Sequence, residues 1–289
     1  MYKYNFLKYS VPSVLFTLVI IGAGIAAYIV KGGFRYSVDF AGGTELRVRF
    51  EQPVDTEAVK KAIHDGWQGT VYSVIGSPEL IVRVQQTPDK VDGLDKKLIE
   101  AINTASENNP GVVLQVNSIS RTISDNLWSV WLKAILLALF LLTLYLSISF
   151  RPAFAIGAVL ALAHDALIVL ACFILLDKEI SIDFIGAIMA VLGYSINDTI
   201  IVFSRIRYNM KKLKGQSLYD IVNISVNERL RRTILTSFAT SLVVMSMFIF
   251  GGDTIRDFSL VILLGIIFGT FSSIYIASPI MMFFVKENK

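Results

Sequence analysis

The chain has 289 residues, of which 54% are hydrophobic and 17% are charged. Soluble domains carry about 25% charged residues, and here the deficit falls in apolar blocks near the length of about 20 residues that crosses a bilayer. One cysteine excludes an internal disulfide, and two histidines disfavour a histidine metal site. We therefore expect a membrane protein with no metal and no other cofactor.

The first apolar block covers residues 11–30 and follows Lys3 and Lys8. It is longer than the apolar region of a cleaved signal peptide, so it predicts an uncleaved membrane helix within a first unit, residues 1–30. Five further membrane helices are predicted at about 129–149, 153–176, 183–204, 233–250 and 257–284. Residues 129–289 then form a five-helix bundle with a loop at 205–232.

Residues 31–128 are polar and mixed, and they predict a soluble α+β domain. Apolar Leu46, Val48 and Phe50 alternate with charged residues, as in a half-buried strand. A helix is predicted over Thr56–Asp65, with Asp55 as its N-cap and Gly66 as its stop. Further strands are expected at 70–75, 80–85 and 112–116, and a second helix at 94–106. The order βαββαβ predicts a ferredoxin-like domain inserted between helices one and two of an all-α, six-helix membrane bundle.

Charge predicts the orientation of these helices. If the N-terminus is cytoplasmic, that side holds thirteen Lys or Arg against three Asp or Glu. The short loops of the opposite side hold two basic and five acidic residues. Positive residues favour the cytoplasmic side, so both termini are predicted there and residues 31–128 outside. This topology, rather than nucleic-acid binding, accounts for the net charge of +4.

The strongest candidate functional residue is Asp198, which lies inside an apolar block. A charge there costs at least about 2.5 kcal/mol, so such residues are usually functional. A carboxylate held away from water is favoured in its protonated form, which suits reversible protonation. The structural alternative is a static salt bridge with Arg205 or Arg207. A proton and sodium both remain possible, since three polar neighbours could assist either ion: Ser195, Asn197 and Thr199.

A second candidate is the adjacent pair His164 and Asp165, in the middle of the third helix. Neighbours on a helix point about 100° apart, so the two cannot face the same group directly. One could line the interior while the other bonds across a helix interface. A proton relay and a simple packing hydrogen bond both remain open.

Other features indicate packing and topology. Gly265, Gly269, Ser273 and Ala277 recur every four residues in the last helix, which favours close helix contact, within this chain or against a partner. Two Gly-Gly pairs, at 32–33 and 42–43, predict tight turns rather than a nucleotide site. Residues 217–228 predict a short amphipathic helix, capped by Ser217, on the cytoplasmic surface or against a partner. Arg232, beside Arg231, alone indicates a topology anchor.

Three segments resemble the SecF branch of the SecD/SecF family, in the resistance-nodulation-division superfamily. They are VDFAGGT at 38–44, GYSINDT at 193–199 with Arg205-Ile-Arg207, and RTILTS at 232–237. The resemblance covers nearly the whole chain. Ser204 departs from the family pattern, which commonly has Asp there.

The resemblance implies a proton-driven subunit that assists the passage of exported polypeptides through the SecYEG channel. It implies SecD as the partner half, with YajC and YidC as further candidate partners, in the bacterial inner membrane. The proton-relay carboxylate corresponds to Asp198, and a participating arginine corresponds to Arg232. Asn197 is expected to support Asp198, and protonation is expected to toggle contact between Asp198 and Arg232.

Two other classes stay open. A half-transporter for lipids or small molecules would need a substrate cavity among the helices and a larger outer domain. A translocon scaffold would need the outer domain but not Asp198. An enzyme is not expected, because no convergent catalytic set is present in the sequence.

Overall fold

The computed structural model describes residues 4–67, 69–86, 93–106 and 109–285. Within them, six helices are long and apolar enough to cross a membrane. These are α1 (Ser10–Lys31), α5 (Arg121–Ser149), α6 (Pro152–Leu175), α7 (Ile182–Lys212), α8 (Leu218–Phe250) and α9 (Gly252–Ser272), which continues through a π turn (Ser273–Ala277) into α10 (Ser278–Phe284). The predicted number of membrane helices is therefore confirmed. Lys3, Lys286 and Lys289, used in the charge argument, lie outside the described residues.

Between α1 and α5 lies a smaller unit with its own sheet. Its elements are α2 (Val38–Ala41), β1 (Gly43–Arg49), α3 (Thr56–Trp67), β2 (Thr70–Ser73), β3 (Glu79–Val84), α4 (Leu94–Ala105) and β4 (Val112–Ile119). The strands pair in the order β2-β3-β1-β4, and every neighbouring pair is antiparallel. We call residues 43–119 the α/β unit.

The α/β unit has a separate apolar core. Leu46, Val48 and Phe50 point inward, as their alternation predicts, and meet Ile63 of α3 and Leu98 of α4. Burial of such side chains stabilises the unit by about 1.5–3 kcal/mol each. The α/β unit thus has a core of its own, formed between the sheet and the helices α3 and α4.

The local signals of α3 are partly confirmed. The Asp55 carboxylate accepts hydrogen bonds from the backbone of Glu57 (3.0 Å) and Ala58 (3.4 Å), which makes it the predicted N-cap. The prediction that Gly66 stops the helix is wrong, because α3 continues to Trp67. A glycine inside a helix is only weakly unfavourable, by about 1 kcal/mol, so Gly66 can lie within the last turn.

The predicted loop 205–232 is mostly helical. α7 runs on to Lys212 and α8 begins at Leu218, so the prediction of a separate surface helix over 217–228 is wrong. The Ser217 side chain does cap this helix, by accepting from the Asp220 amide. The two helix ends pack on each other, since the Asn209 amide donates to Ser225 and Glu228. The residues of α8 that were expected to face a membrane surface or a partner, such as Ile221 and Val222, are buried within this chain instead.

The α/β unit joins the bundle through a link, residues 32–42, which includes the short helix α2. Gly32 and Gly42 have φ of 75° and 74°, the left-handed turns expected of the glycine pairs. The link is clamped to the α6–α7 loop, where the Ile180 amide donates to Arg35 (2.8 Å) and accepts at its carbonyl from Ser37 (3.0 Å). The unit is therefore fixed at the end of the bundle where α7 begins.

Candidate functional site

Asp198 lies on α7 at the contact of three membrane helices and is only 2% exposed. Thr270 of α9 donates its hydroxyl to the Asp198 carboxylate at 3.3 Å. The Thr270 hydroxyl also lies 2.7 Å from that of Ser237 on α8, which in turn accepts from Tyr194 at 3.1 Å. A chain of hydroxyls from three helices thus ends on one buried carboxylate.

No cation lies within ion-pair distance of Asp198 in the described part of the chain. Arg205 instead pairs with Glu228 at 2.5 Å, and Arg207 donates to the Ser149 carbonyl at 2.7 Å. The static salt bridge considered from the sequence is therefore absent. The described hydrogen-bond partner of Asp198 is therefore a neutral hydroxyl group, and not a cation.

Arg232 and Asn197 do not contact Asp198. The Arg232 side chain is exposed on α8, while the next residue, Thr233, is buried. Asn197 lies on the exposed side of α7, although it neighbours Asp198 in sequence. Successive residues on a helix point about 100° apart, which explains why a neighbour of Asp198 can face away from it.

Asp165 forms a second buried carboxylate site, with no exposed surface. It accepts from Ser195 of α7 at 2.5 Å and from Ser272 of α9 at 2.8 Å. His164 Nδ1 lies 3.0 Å from the other Asp165 oxygen, so the two neighbours do contact each other. His164 Nε2 is buried and has no hydrogen-bond partner among the described residues.

Residues of α7 and α9 contribute to both carboxylate sites, although Asp165 itself lies on α6. On α7, Ser195 and Asp198 lie three residues apart and therefore on adjoining positions of one face. On α9, Thr270 bonds Asp198 and Ser272 bonds Asp165. No hydrogen bond joins Asp165 directly to Asp198 in the described residues, but a shift of α9 along α7 would change both sites.

Glycines hold α7 and α9 close together at this level. A Cβ added to Gly265 would collide with Val191, and one added to Gly269 would lie 3.0 Å from the Ser195 side chain. Ser273 is buried and begins the π turn that follows Ser272. A π turn within a helix frequently marks a functional site, and this one lies directly beside the two hydroxyl donors of α9.

Thr270 and Ser272 were not predicted from the sequence. They lie 72 and 107 residues from the carboxylates they bond, so the spacing of nearby residues in the sequence cannot predict these contacts. One signal was available, because small polar side chains inside an apolar helix often bond across helix interfaces. Thr270 and Ser272 lie between Gly269 and Ser273 of the small-residue stripe.

Family models match two parts of the chain. The model described as "Protein export membrane protein SecD/SecF, C-terminal" matches residues 99–287, and the "SecD/SecF GG Motif" model matches residues 28–54. The first therefore covers the bundle with its two carboxylates, and the second covers the link and β1.

Curated relatives match along nearly the whole chain. The chain is 34% identical to the protein translocase subunit SecF of Thermodesulfovibrio yellowstonii, over 97% of this chain and 94% of that one. It is 36% identical to the protein translocase subunit SecF of Magnetococcus marinus, over 96% of this chain and 91% of that one. It is 33% identical to the protein translocase subunit SecF of Pseudomonas aeruginosa, over 92% of this chain and 86% of that one.

Solved structures of SecDF share this architecture. The crystal structure of SecDF from Thermus thermophilus matches with a TM-score of 0.80 and 33% identity, over 96% of this chain and 38% of that one. The structure of SecDF in its super-membrane-facing form matches with a TM-score of 0.71 and 31% identity, with the same coverage. The chain thus spans well under half of the SecDF chains it resembles.

Proposed function

The chain belongs to the SecD/SecF family of protein-export membrane proteins, and from that membership we propose that it is the SecF-type half of a complex with SecD. The complex uses the proton-motive force to assist polypeptides through the SecYEG channel. The single observation that carries this proposal is Asp198, a buried carboxylate within a membrane helix whose hydrogen bond among the described residues comes from a hydroxyl. Such a group can gain and lose a proton without breaking an ion pair.

The proposed arrangement places residues 1–30 as a first helical unit, 31–128 outside the cytoplasm, and 129–289 as the helix bundle. Both termini lie in the cytoplasm of a cell whose inner membrane holds the protein. The excess of basic residues on one side supports this orientation. For the α/β unit, the order of elements and the sheet order β2-β3-β1-β4 support a ferredoxin-like domain.

We assign the contact with SecD to the exposed side of α7. Gly186, Ala190, Gly193 and Asn197 follow one another along that side, and an added Cβ at either glycine would meet nothing within 4 Å in the described chain. Small residues allow another helix to approach closely, and an asparagine within a membrane bonds best to a partner helix. Asn197 then supports Asp198 from the SecD side rather than by direct contact.

Arg232 keeps a proposed role in this complex. Its side chain is exposed on α8, where it forms no ion pair with Asp198 in this structure. A cation near a carboxylate favours the charged form, so an approach of Arg232 during the cycle would promote proton release. SecYEG, YajC and YidC remain proposed partners, with the translocating polypeptide as substrate.

The test is Asp198→Asn, which keeps the size of the side chain and one acceptor oxygen but cannot be ionised. Membranes containing the variant, SecD and SecYEG are assayed for completion of polypeptide export with and without an imposed proton gradient. We expect the stimulation by the gradient to be lost. Asp183→Asn, on the exposed start of the same helix, is the matched control and should export like the wild type.

Co-purification with SecD establishes that the variant complex is intact. Export that stays fully gradient-responsive in Asp198→Asn would remove the proton role and favour a translocon scaffold. Replacing protons by a sodium gradient distinguishes the coupling ion, because a sodium-driven protein would respond to sodium alone. Export of labelled lipid in place of polypeptide would favour the half-transporter alternative.

A further inference from the structure

The α/β unit is tied to the helix bundle at the first turn of α9, through Asp253. The Asp253 carboxylate accepts from both the backbone amide (3.2 Å) and the hydroxyl (3.0 Å) of Ser73, at the end of β2. Lys60 of α3 lies 3.8 Å from the same carboxylate, and Arg256 lies 3.6 Å from it. One side chain of α9 thus gathers groups from two elements of the α/β unit.

The fit around this contact is close. Gly252 has φ of 72°, and a Cβ added there would lie 2.8 Å from the Ile75 side chain in the β2–β3 turn. Burial opposes the charge of Asp253, but the two hydrogen bonds from Ser73 and the nearby cations outweigh it and keep the pKa of Asp253 below its usual value. The carboxylate is therefore ionised and held at neutral pH.

The same helix carries the contacts to both buried carboxylates. From Asp253 to Thr270 the helix rises about 25 Å, at 1.5 Å per residue. Over that length Gly265 and Gly269 pack so closely on α7 that α9 cannot tilt without disturbing Val191 or Ser195. A displacement of the α/β unit that moves Asp253 is therefore transmitted along α9 to Thr270 and Ser272, and the reverse holds as well.

We propose that Asp253 is a positioning residue that couples the α/β unit to the protonation state of Asp198 through α9. The proposal rests on the proposed function in taking Asp198 as the carboxylate that gains and loses a proton. Since coupling is reciprocal, neutralising Asp198 must change the stability of the Ser73 contact. A contact that serves only as an anchor would show no such dependence.

The test is a double-mutant cycle on the complex with SecD in lipid nanodiscs. Amide hydrogen exchange of residues 70–79 is measured in the wild type, in Asp198→Asn, in Asp253→Ala and in the double variant. We expect Asp198→Asn to change the exchange rates about fivefold or more when Asp253 is present, and to leave them unchanged in the Asp253→Ala background. Export is not needed for this measurement, so it stands apart from the test of the proposed function.

Asp257→Ala is the matched control background. Asp257 lies one turn further along α9, and its ion pair is with Lys178 of the α6–α7 loop at 2.7 Å. The response to Asp198→Asn should persist there. If Asp253→Ala also raises exchange throughout β1, Ser73→Ala replaces it, because it removes the hydroxyl that donates to Asp253 and leaves α9 unchanged.

Two results would overturn the proposal. One is an equal change in the exchange rates on Asp198→Asn with and without Asp253, which would show that the coupling does not depend on Asp253. The other is no response in the presence of Asp253, which would make the contact a static anchor. Failure of the proposed function has a different signature, since Asp198→Asn would then keep gradient-dependent export whatever the exchange rates show.

Discussion

At the scale of single residues, the site depends on hydroxyl groups rather than cations. A hydroxyl can donate to a carboxylate and can accept from a carboxylic acid, so Thr270 can serve Asp198 in both protonation states. An arginine beside Asp198 would serve only the charged form. The geometry thus leaves the carboxylate free to change its charge.

Thr270→Val removes the hydroxyl and keeps the shape of the side chain. A hydrogen bond to a charged group contributes about 1.5–3 kcal/mol, so we expect gradient-driven export to slow by about tenfold or more. Thr270→Ser, which restores the hydroxyl, should keep most of the rate. Equal rates for Thr270→Val and the wild type would show that Asp198 does not need this donor.

The carboxylates were predictable from the sequence, and their partners were not. Asp198 and Asp165 are conspicuous because charge is costly within an apolar block. The expected contact of Asp198 with Arg232 is not present, and Thr270 takes its place because α9 packs on the same face of α7. Which helix covers that face is a property of the tertiary packing, and helical periodicity cannot report it.

At the scale of the elements, α7 and α9 form the tightest helix contact near the site. Gly265 lies against Val191, and Gly269 lies against Ser195, which bonds Asp165. Absence of side chains at these two positions lets the backbones approach closely. The same closeness brings the hydroxyls of α9 within reach of the carboxylates.

Gly265→Ala should force α7 and α9 apart, because the new methyl group overlaps Val191. Overpacking of this kind costs about 1–3 kcal/mol, which a thermal unfolding measurement on the purified protein would detect. Val191→Ala in the same chain should recover much of the loss by making room. Gly193→Ala, which meets nothing in the described chain, is the control and should be neutral without SecD.

Elements with a local pattern were predicted well. The α/β unit follows its alternation, and α3 and α4 lie within two residues of their predicted bounds. In the region 205–232 the sequence predicted a separate helix, and it did not predict that α7 and α8 extend into this region. Charge marks where the membrane ends, whereas α7 and α8 continue beyond it through contacts such as Asn209 with Glu228.

At the scale of the whole molecule, the α/β unit and the link that precedes it contact the beginnings of two membrane helices. The link at Ser37 is bonded to Ile180, just before α7, and Ser73 is bonded to Asp253 at the start of α9. These are the two helices that frame both carboxylates. A movement of the unit therefore acts on the helices that matter for the proposed proton site.

The contact between the link and the α6–α7 loop also predicts that the stability of the protein depends on pH. Glu179 lies in the α6–α7 loop, 3.5 Å from Arg35, and burial raises its pKa by more than Arg35 and Arg83 lower it. A carboxyl group with a raised pKa in the folded state favours folding at low pH, and this contribution is lost as pH rises through the folded pKa. Glu179→Gln should therefore stabilise the protein at neutral and alkaline pH.

Thermal unfolding across a pH series measures this effect. We expect a rise of about 2 °C in the Glu179→Gln variant at pH 8, shrinking as pH falls towards the ordinary value of 4.5. Asp177→Asn is the opposite case, since Lys31 and Arg35 hold the pKa of Asp177 low, and its loss should destabilise the protein at neutral pH. A Glu179→Gln variant less stable than the wild type at pH 8 would mean that the ion pair with Arg35 outweighs the cost of burial.

The most direct measurement is proton entry during polypeptide export. Proteoliposomes that hold the complex with SecD and SecYEG, loaded with a pH-sensitive dye, are supplied with an export substrate under an imposed gradient. We predict that wild-type protein admits protons only while export proceeds, and that Asp198→Asn abolishes this entry although the complex is intact. The same export-linked proton entry in Asp198→Asn as in the wild type would contradict the central role given to Asp198.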